Sequence, residues 1–324
     1  MLRSASLVRA AARAAGAALV LLSACGSSTD DTLFHGGGTG GAEPAGGNPS
    51  GAGPDAAPPA PAPTTPAPPT PAPGGTIKFV TYNVAGLADL ISAGTPSQTT
   101  PLISPKLNPF DLVVVQEDFS YHAALVSQIT HPFVVAPRTA PLPKAYGDGL
   151  ALLSRMATGA VDHDEWKTCN GTIDAGSDCL AAKGFMRVVV TVAPGIEIDV
   201  YDLHTDAGRD AADAKARDAQ AAQLAAAINT ASKDRPVIVA GDTNMKANDE
   251  ASVVKFMAAA QLRDACRELA CAEPSRLDRV FVRDAPSLAL TVANWRIDPT
   301  FTTASGDPLS DHDPIAVDIS WTKK

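Results

Sequence analysis

Acids, amides and imidazoles stand at the ends of short apolar segments throughout the last three quarters of this chain. Asn83, Glu117 and His204 each close such a segment, and Asp242-Thr243-Asn244 closes another. Asp278 opens the segment that follows, and Asp311-His312 sits just ahead of Pro314-Ile315-Ala316-Val317. A strand that delivers a polar side chain at its end is how an α/β scaffold assembles a rigid polar site. Six deliveries of acid, amide and imidazole suit hydrolysis at a charged centre. Carboxylates hold a hard cation, and an imidazole beside an acid can take a proton from water.

The elements that must position these residues are legible as apolar runs. Ile77–Val84 alternates and is rich in β-formers, and Asp111–Glu117 is a buried strand with its polar residues last. Residues 149–154, 186–192, 196–203 and 236–241 continue the pattern, and residues 277–282, 288–292 and 314–319 complete it. Between His204 and the strand at 236 lies the Ala-rich stretch 210–232, a predicted helix with Ala219, Ala222, Leu224 and Ala226 among its apolar positions. A second helix is expected over 249–261. Helices interspersed with two groups of strands predict a sandwich of sheets covered by helices.

The first quarter is different. Arg3, Arg9 and Arg13 precede the apolar segment Ala17–Leu22, and Leu22-Ser23-Ala24-Cys25 follows. That is the plan of an export signal, and the apolar segment is too short to span a bilayer. Its end resembles the bacterial lipobox, so residues 1–25 are expected to be a lipoprotein signal with Cys25 lipidated. Gly26 after the cysteine resembles the outer-membrane sorting preference. Residues 26–75 are rich in Gly, Ala, Thr and Pro with no apolar periodicity, and are expected to be a disordered tether. Its proline-rich second half would reach roughly 60 Å if extended as polyproline II. The expected location is the cell envelope, at the outer membrane or cell surface, with a membrane anchor and no protein partner implied.

Residues 76–324 remain for one large catalytic domain. With 45% hydrophobic and 19% charged residues, the 324-residue chain can bury a sizeable core. Cys169 with Cys179, and Cys266 with Cys271, read as two local disulfides in an exported protein. The net charge of −9 argues against broad electrostatic binding of nucleic acid, though not against a local basic groove.

Tyr82-Asn83-Val84, Gln116-Glu117, Gly241-Asp242-Thr243-Asn244, Leu277-Asp278 and Ser310-Asp311-His312, in this order, resemble the endonuclease/exonuclease/phosphatase superfamily. The resemblance spans nearly all of residues 76–320. It implies a DNase I-like α/β fold, a four-layered sandwich of two packed mixed β-sheets flanked by helices. It also implies hydrolysis of phosphate esters with magnesium, or with manganese or calcium in its place. Glu117 is then the principal metal ligand. Asn83 adds an oxygen to the ion or an amide to the phosphate, and Asp311 serves a metal or the phosphate. His312 is the general base, held by Asp278. Asp242 orients the water or binds metal, Asn244 contacts the phosphate, and His204 contacts the phosphate and protonates the leaving group.

The ester itself is less legible. Lys183-Gly184-Phe185 resembles a segment of bacterial sphingomyelinases, exported family members that cleave a lipid headgroup, with Lys183 on the substrate phosphate. Against this, no aromatic hairpin for membrane insertion is evident, aromatic content is 5%, and Trp166 and Trp295 stand alone. The rival is an extracytoplasmic endonuclease with Lys183, Arg187, Arg209, Arg276 and Arg279 along a groove. Arg279 also departs from the apolar or aromatic residue that many relatives carry there. Hydrolysis of a soluble phosphomonoester ranks third. A surface lipoprotein that binds without catalysis is the remaining alternative, and a complete site argues against it.

Overall fold

The computed structural model describes residues 73–171 and 178–324; the expected signal, Cys25 and nearly all of the expected tether lie outside the described residues. Among the described residues, twelve strands form two six-stranded sheets. The first sheet contains β1 (Gly74–Asn83), β2 (Leu112–Gln116), β3 (Phe133–Val135), β4 (Ala151–Ser154), β11 (Leu288–Ile297) and β12 (Ile315–Lys323), in the spatial order β11-β12-β1-β2-β4-β3. The second contains β5 (Ala157–Glu165), β6 (Gly184–Ala193), β7 (Ile196–His204), β8 (Val237–Asp242), β9 (Arg263–Asp264) and β10 (Asp278–Arg283), in the order β5-β6-β7-β8-β10-β9. Five helices accompany them: α1 (Pro96–Ile103), α2 (His122–Leu125), α3 (Ala211–Ala231), α4 (Glu250–Ala260) and α5 (Ala265–Glu268).

Both sheets are mixed in the same way. β1 runs parallel to β2, and β7 parallel to β8, while every other pairing is antiparallel. Parallel neighbours finish at the same edge, so Asn83 lies opposite Gln116, and His204 opposite Asp242. The antiparallel neighbours β10 and β12 begin where those strands end. Asp278 therefore faces Asp242 across its ladder, and Ile315, just past Asp311-His312, faces Thr81. Topology alone gathers all six deliveries at one edge of the sandwich.

Side-chain alternation builds the layers. Phe79, Val114, Leu152, Val200, Ile238, Val280 and Val317 point between the sheets. Tyr201, Val239 and Phe281 point outward from the second sheet onto Leu224 and Ile228 of α3 and Val253 and Phe256 of α4. Tyr82, Val113, Val115 and Leu153 point outward from the first sheet onto Ile103, Leu107, Leu125 and Phe301. Strands covered on both faces read as continuous apolar runs, which is why they were conspicuous in the sequence. Each large apolar side chain so buried stabilises the fold by about 1.5–3 kcal/mol. The fold is the expected four-layered one.

Some local expectations differ. The helix over 211–231 forms, with Asp210 accepting from the backbone N–H of Ala212 and Asp213, and the Asp213 carboxylate accepting from Asp210 in return. Its buried face, however, is Ala216, Arg217, Gln220, Ala221, Leu224, Ala225 and Ile228, while Ala219, Ala222 and Ala226 are exposed. Alanine on every side leaves the sequence without a periodic stripe to read. β5 went unseen because it is a largely exposed edge strand, held by its backbone ladder to β6 rather than by apolar alternation. Trp166 does not stand alone: it is buried, packs on Phe185 at 5.3 Å, and donates its indole N–H to the carbonyl of His204 at 2.7 Å. Both expected disulfides, Cys169–Cys179 and Cys266–Cys271, are present.

Candidate active site

Asp242, the last residue of β8, is the hub. Its carboxylate accepts the Asn83 side-chain amide at 3.1 Å, and the backbone and side-chain N–H of Asn244 at 2.8 and 3.2 Å. Two imidazoles approach the same Oδ2 without forming a hydrogen bond to it. His204 Nε2 lies at 3.4 Å and His312 Nε2 at 3.6 Å. Asn83 Nδ2 also donates to Glu117 Oε1 at 3.1 Å, while its own Oδ1 accepts from the backbone of Ala85 at 3.0 Å. One amide from the first sheet thus ties a carboxylate of each sheet together.

His312 is held from the other side. Its Nδ1 meets both oxygens of Asp278, at 2.9 and 3.1 Å, which fixes the ring and leaves Nε2 facing Asp242. Ser310 steadies the loop by donating to the carbonyl of Asn83 at 2.8 Å and accepting from the backbone of His312 at 3.2 Å.

Two site residues sit in the left-handed backbone region, Glu117 at φ 59° and Asn244 at φ 47°. For a non-glycine residue such a backbone costs about 1–3 kcal/mol and persists only where surroundings enforce it. At Glu117 they do. The backbone N–H of Gly86 donates to its carbonyl at 3.0 Å, and a Cβ on Gly86 would come within 2.5 Å of that oxygen. The close approach requires glycine, and the turn aims Glu117 into the site rather than along the strand.

The electrostatics are those of acids held close together without lysine or arginine. Neither Glu117 nor Asp242 forms an ion pair with a lysine or arginine among the described residues. Burial pushes Glu117 above the usual carboxylate range, against the opposing pull of Lys183 and Asn83. Burial, then the neighbouring Asp278 carboxylate, pushes Asp242 up to about 6. His204 is fully enclosed and is driven well below an ordinary imidazole by burial and by the positive charges of Lys183 and His312. Burial would lower His312 too, but the Asp278 contact and the nearby Asp242 and Asp311 carboxylates outweigh it, raising His312 to about 10.

This donor set fits a hard divalent cation. One oxygen or nitrogen from each of Glu117, His204 and Asp242 falls within a mutual 4.8 Å, as does one from each of Asp242, Asp278 and His312. Carboxylate oxygens with no lysine or arginine bound to them are what such an ion takes. Asn83 turns its N–H groups toward the carboxylates, so it bridges the ligands rather than presenting its oxygen to the same point. Asp311 belongs to neither cluster; it is exposed and, among the described residues, its side chain meets only Ser310 Oγ at 3.5 Å.

Lys183 is 9% exposed and spends its ammonium on Asp178 Oδ1 at 2.5 Å and the Thr205 carbonyl at 3.3 Å. It biases the site through its field rather than through an open contact. Beside Glu117 lies a cavity of about 310 Å³ that the motifs did not reveal, lined by Phe119, Tyr146, His122 and Arg138. Phe119 and Tyr146 pack at 5.5 Å there, and His122 Nδ1 meets Asp118 at 2.5 Å. Phe119 lies two residues past Glu117, which is the one sequence signal that could have suggested it.

Comparison with known proteins agrees with this architecture. Over 269 residues the chain is 30% identical to a sphingomyelinase of Mycobacterium tuberculosis, an alignment covering 76% of this chain and 53% of that protein. The chain thus spans about half the length of the curated relatives it matches. A doubly substituted beta toxin of Staphylococcus aureus, solved with bound magnesium ions, superposes with a TM-score of 0.57 at 19% identity, over 75% of this chain and 99% of that one. The D. rerio TDP2, solved with a single-strand DNA product, superposes with a TM-score of 0.59 at 18% identity, over 76% of this chain and 99% of that one. At such identities the structures show a shared fold. Residues 80–312 match the Endonuclease/Exonuclease/phosphatase family, and the chain belongs to that family.

Proposed function

We propose that this protein is a divalent-metal-dependent phosphodiesterase that releases the headgroup of a phospholipid, in the manner of a sphingomyelinase. The observation that carries the reaction class is the Asp278–His312 pair facing Asp242 beside Glu117. Magnesium is the ion proposed, with Glu117 and Asp242 its principal holders. Bound there, a divalent cation supplies positive charge to the phosphoryl oxygens and offsets the carboxylate field that keeps a proton on His312.

The protein's own groups do the rest. Asp278 fixes His312 through Nδ1, so Nε2, which faces the Asp242 carboxylate, is the nitrogen that takes the proton of the attacking water. Burial keeps His204 neutral, which suits a hydrogen-bond donor to the leaving oxygen better than a stored proton. Asn83 and Asn244 hold the Asp242 carboxylate in place, and Asn244 remains the proposed contact to the phosphate. Asp311 is assigned at most an outer contact to metal or phosphate.

The nuclease reading loses its groove. Arg279 is 3% exposed and donates to Asp264 and to the carbonyls of Pro274 and Met245. Arg187 is engaged by Asp162 and Asp199, Arg276 by Glu273 and Asp313, and Lys183 by Asp178. Of the five cations expected along a polyanion track, Arg209 alone makes no ion pair among the described residues. A complete set of gathered site residues argues equally against a module that only binds. The proposed location is outside the cytoplasm, at the cell envelope through a lipid on Cys25. Two disulfides fit an oxidising compartment.

The test is headgroup release from sphingomyelin vesicles beside plasmid cleavage, each with magnesium and with chelator. Chelator-sensitive headgroup release that disappears in Glu117→Gln is the expected result. Plasmid cleavage without headgroup release would replace the lipid assignment with the nuclease.

A further inference from the structure

A second cavity, of about 410 Å³, shares a wall with the candidate active site. Asn244 lines it and also donates to Asp242, and Leu277 lines it and directly precedes Asp278. The remaining wall is cationic. Arg209 and Lys246 line it, both are exposed, and neither forms an ion pair among the described residues.

The third cation of this wall explains why the other two stay there. Arg217 is 3% exposed and commits both terminal nitrogens to structure. Its Nη1 donates to the carbonyls of Asp206, Ala207 and Gly208 at 3.2, 3.3 and 3.1 Å, and its Nη2 to both oxygens of Asp249 at 3.1 and 3.3 Å. One guanidinium therefore clamps the loop that carries Arg209 to the turn that carries Lys246. Among the described residues Asp249 is the only carboxylate lining the cavity, and Arg217 neutralises it. Two uncompensated positive charges remain, in a chain whose net charge is −9. A pocket of the opposite sign to its protein, with a built floor, concentrates anions.

The geometry points to a second anion subsite formed by Arg209 and Lys246, which takes an additional phosphoryl group on the substrate. This rests on the phosphodiesterase reading and narrows it. Two cations cannot track a polyanion, but they suit one further phosphate on the ester's headgroup. Preferred substrates then carry a phosphodiester and a terminal phosphate, in preference to a zwitterionic headgroup.

The experiment compares two chromogenic diesters that differ by one phosphoryl group, p-nitrophenyl phosphoglycerol and p-nitrophenyl phosphoglycerol phosphate, using the full chain with magnesium. Two solvent-exposed charge contacts predict a KM about tenfold lower for the phosphorylated ester. In Arg209→Ala/Lys246→Ala that ratio falls to near one. Equal KM values in the wild type, or a ratio that survives the double substitution, overturns the subsite. Parallel vesicle assays with phosphatidylglycerol and phosphatidylglycerol phosphate show whether a lipid or a soluble ester supplies the group. Should neither diester be hydrolysed, calorimetric titration of both reads the subsite alone. A tenfold difference in affinity then keeps the subsite and discards the phosphodiesterase reading, and equal affinity discards the subsite.

Discussion

Opposite ends of β7 and β8 hold buried carboxylates under opposite conditions. At one end Asp199 is fully buried and surrounded by donors: Arg187 Nη2 at 3.3 and 3.4 Å, Arg235 Nη1 at 3.1 Å and Ser232 Oγ at 2.5 Å. Five residues further along β7, about 17 Å at a strand's rise, His204 pairs with Asp242. There the acids find amides and imidazoles but no guanidinium or ammonium. Arg279–Asp264 and Arg217–Asp249 repeat the Asp199 arrangement elsewhere in the second sheet and its helices. The fold has guanidinium groups to spend on buried acids and pairs none with Glu117 or Asp242. Among the described residues, buried Asp202 and Asp206 also lack such a cation but are held singly by Gln116 and Gln220, whereas Glu117 and Asp242 converge on one point with His204, which suits a charge that arrives from outside.

Breaking the end without lysine or arginine should remove most turnover, and at Glu117 it should spare the fold. Glu117→Gln and His312→Ala are each expected to lower kcat by about 10²–10⁴-fold, the range for loss of a positioned catalytic group. Glu117→Gln should not lower the melting temperature, because it removes a buried charge without a lysine or arginine partner, whereas His312→Ala takes the partner from Asp278 and should lower it. Near-normal turnover in either variant would falsify the assignment. The paired end should behave in reverse. Asp199→Ala leaves Arg187 and Arg235 facing an empty site, and losing one partner of a buried pair costs about 3–5 kcal/mol. Chemical denaturation should show that loss, while activity per folded molecule stays at the wild-type level. A stable Asp199→Ala protein with impaired kcat would erase the distinction drawn between the two ends.

Acidity sharpens the same contrast. Asp242 holds its proton up to about 6, against 3.8 ordinarily, and Glu117 is shifted in the same direction. Between roughly pH 4 and 6 the metal-free native state therefore binds more protons than the unfolded chain. Its stability from these groups is fully present below about 3.8 and is lost as pH rises through 6. Measured in chelator, wild type should lose melting temperature relative to Asp242→Asn across that interval. Magnesium at a hundred times its dissociation constant should then restore about 2.7 kcal/mol above pH 6 in wild type, and much less in the Asn variant. Equal stabilisation of both proteins would move the ion elsewhere.

What the sequence revealed of this site follows from how the site is made. Asn83, Glu117, His204 and Asp242 end apolar strands, and strands buried on both faces are the plainest signal a sequence carries, so these residues and the layering were legible together. Side-chain direction was not. Lys183 looked available for phosphate, but Asp178 already holds it, and the residues between them give no local sign of the pairing. Arg279 and Arg187 looked like a groove for the same reason: a cation's partner is set by strand register, not by neighbours in the chain. The aromatic cavity of Phe119 and Tyr146 brings together residues from two separate loops. The exposed β5 has no apolar pattern at all.

Asp311 offers the finest division of the comparison. It adjoins the base and carries a carboxylate, so from sequence it ranks with Glu117 as a metal ligand. In the fold it is exposed, its one side-chain contact is Ser310 Oγ at 3.5 Å, and both candidate metal clusters close without it. A solvated carboxylate acts on its neighbours through screened charge, worth about 0–1 kcal/mol. Asp311→Asn should therefore change kcat by less than about fivefold, with a small acid shift in the pH profile as one of the carboxylates supporting the His312 proton is removed. A loss matching that of Glu117→Gln, restored by raising the magnesium concentration, would make Asp311 a ligand. The unpaired acids of the site would then extend from the strand ends onto the loop, and burial would no longer distinguish them.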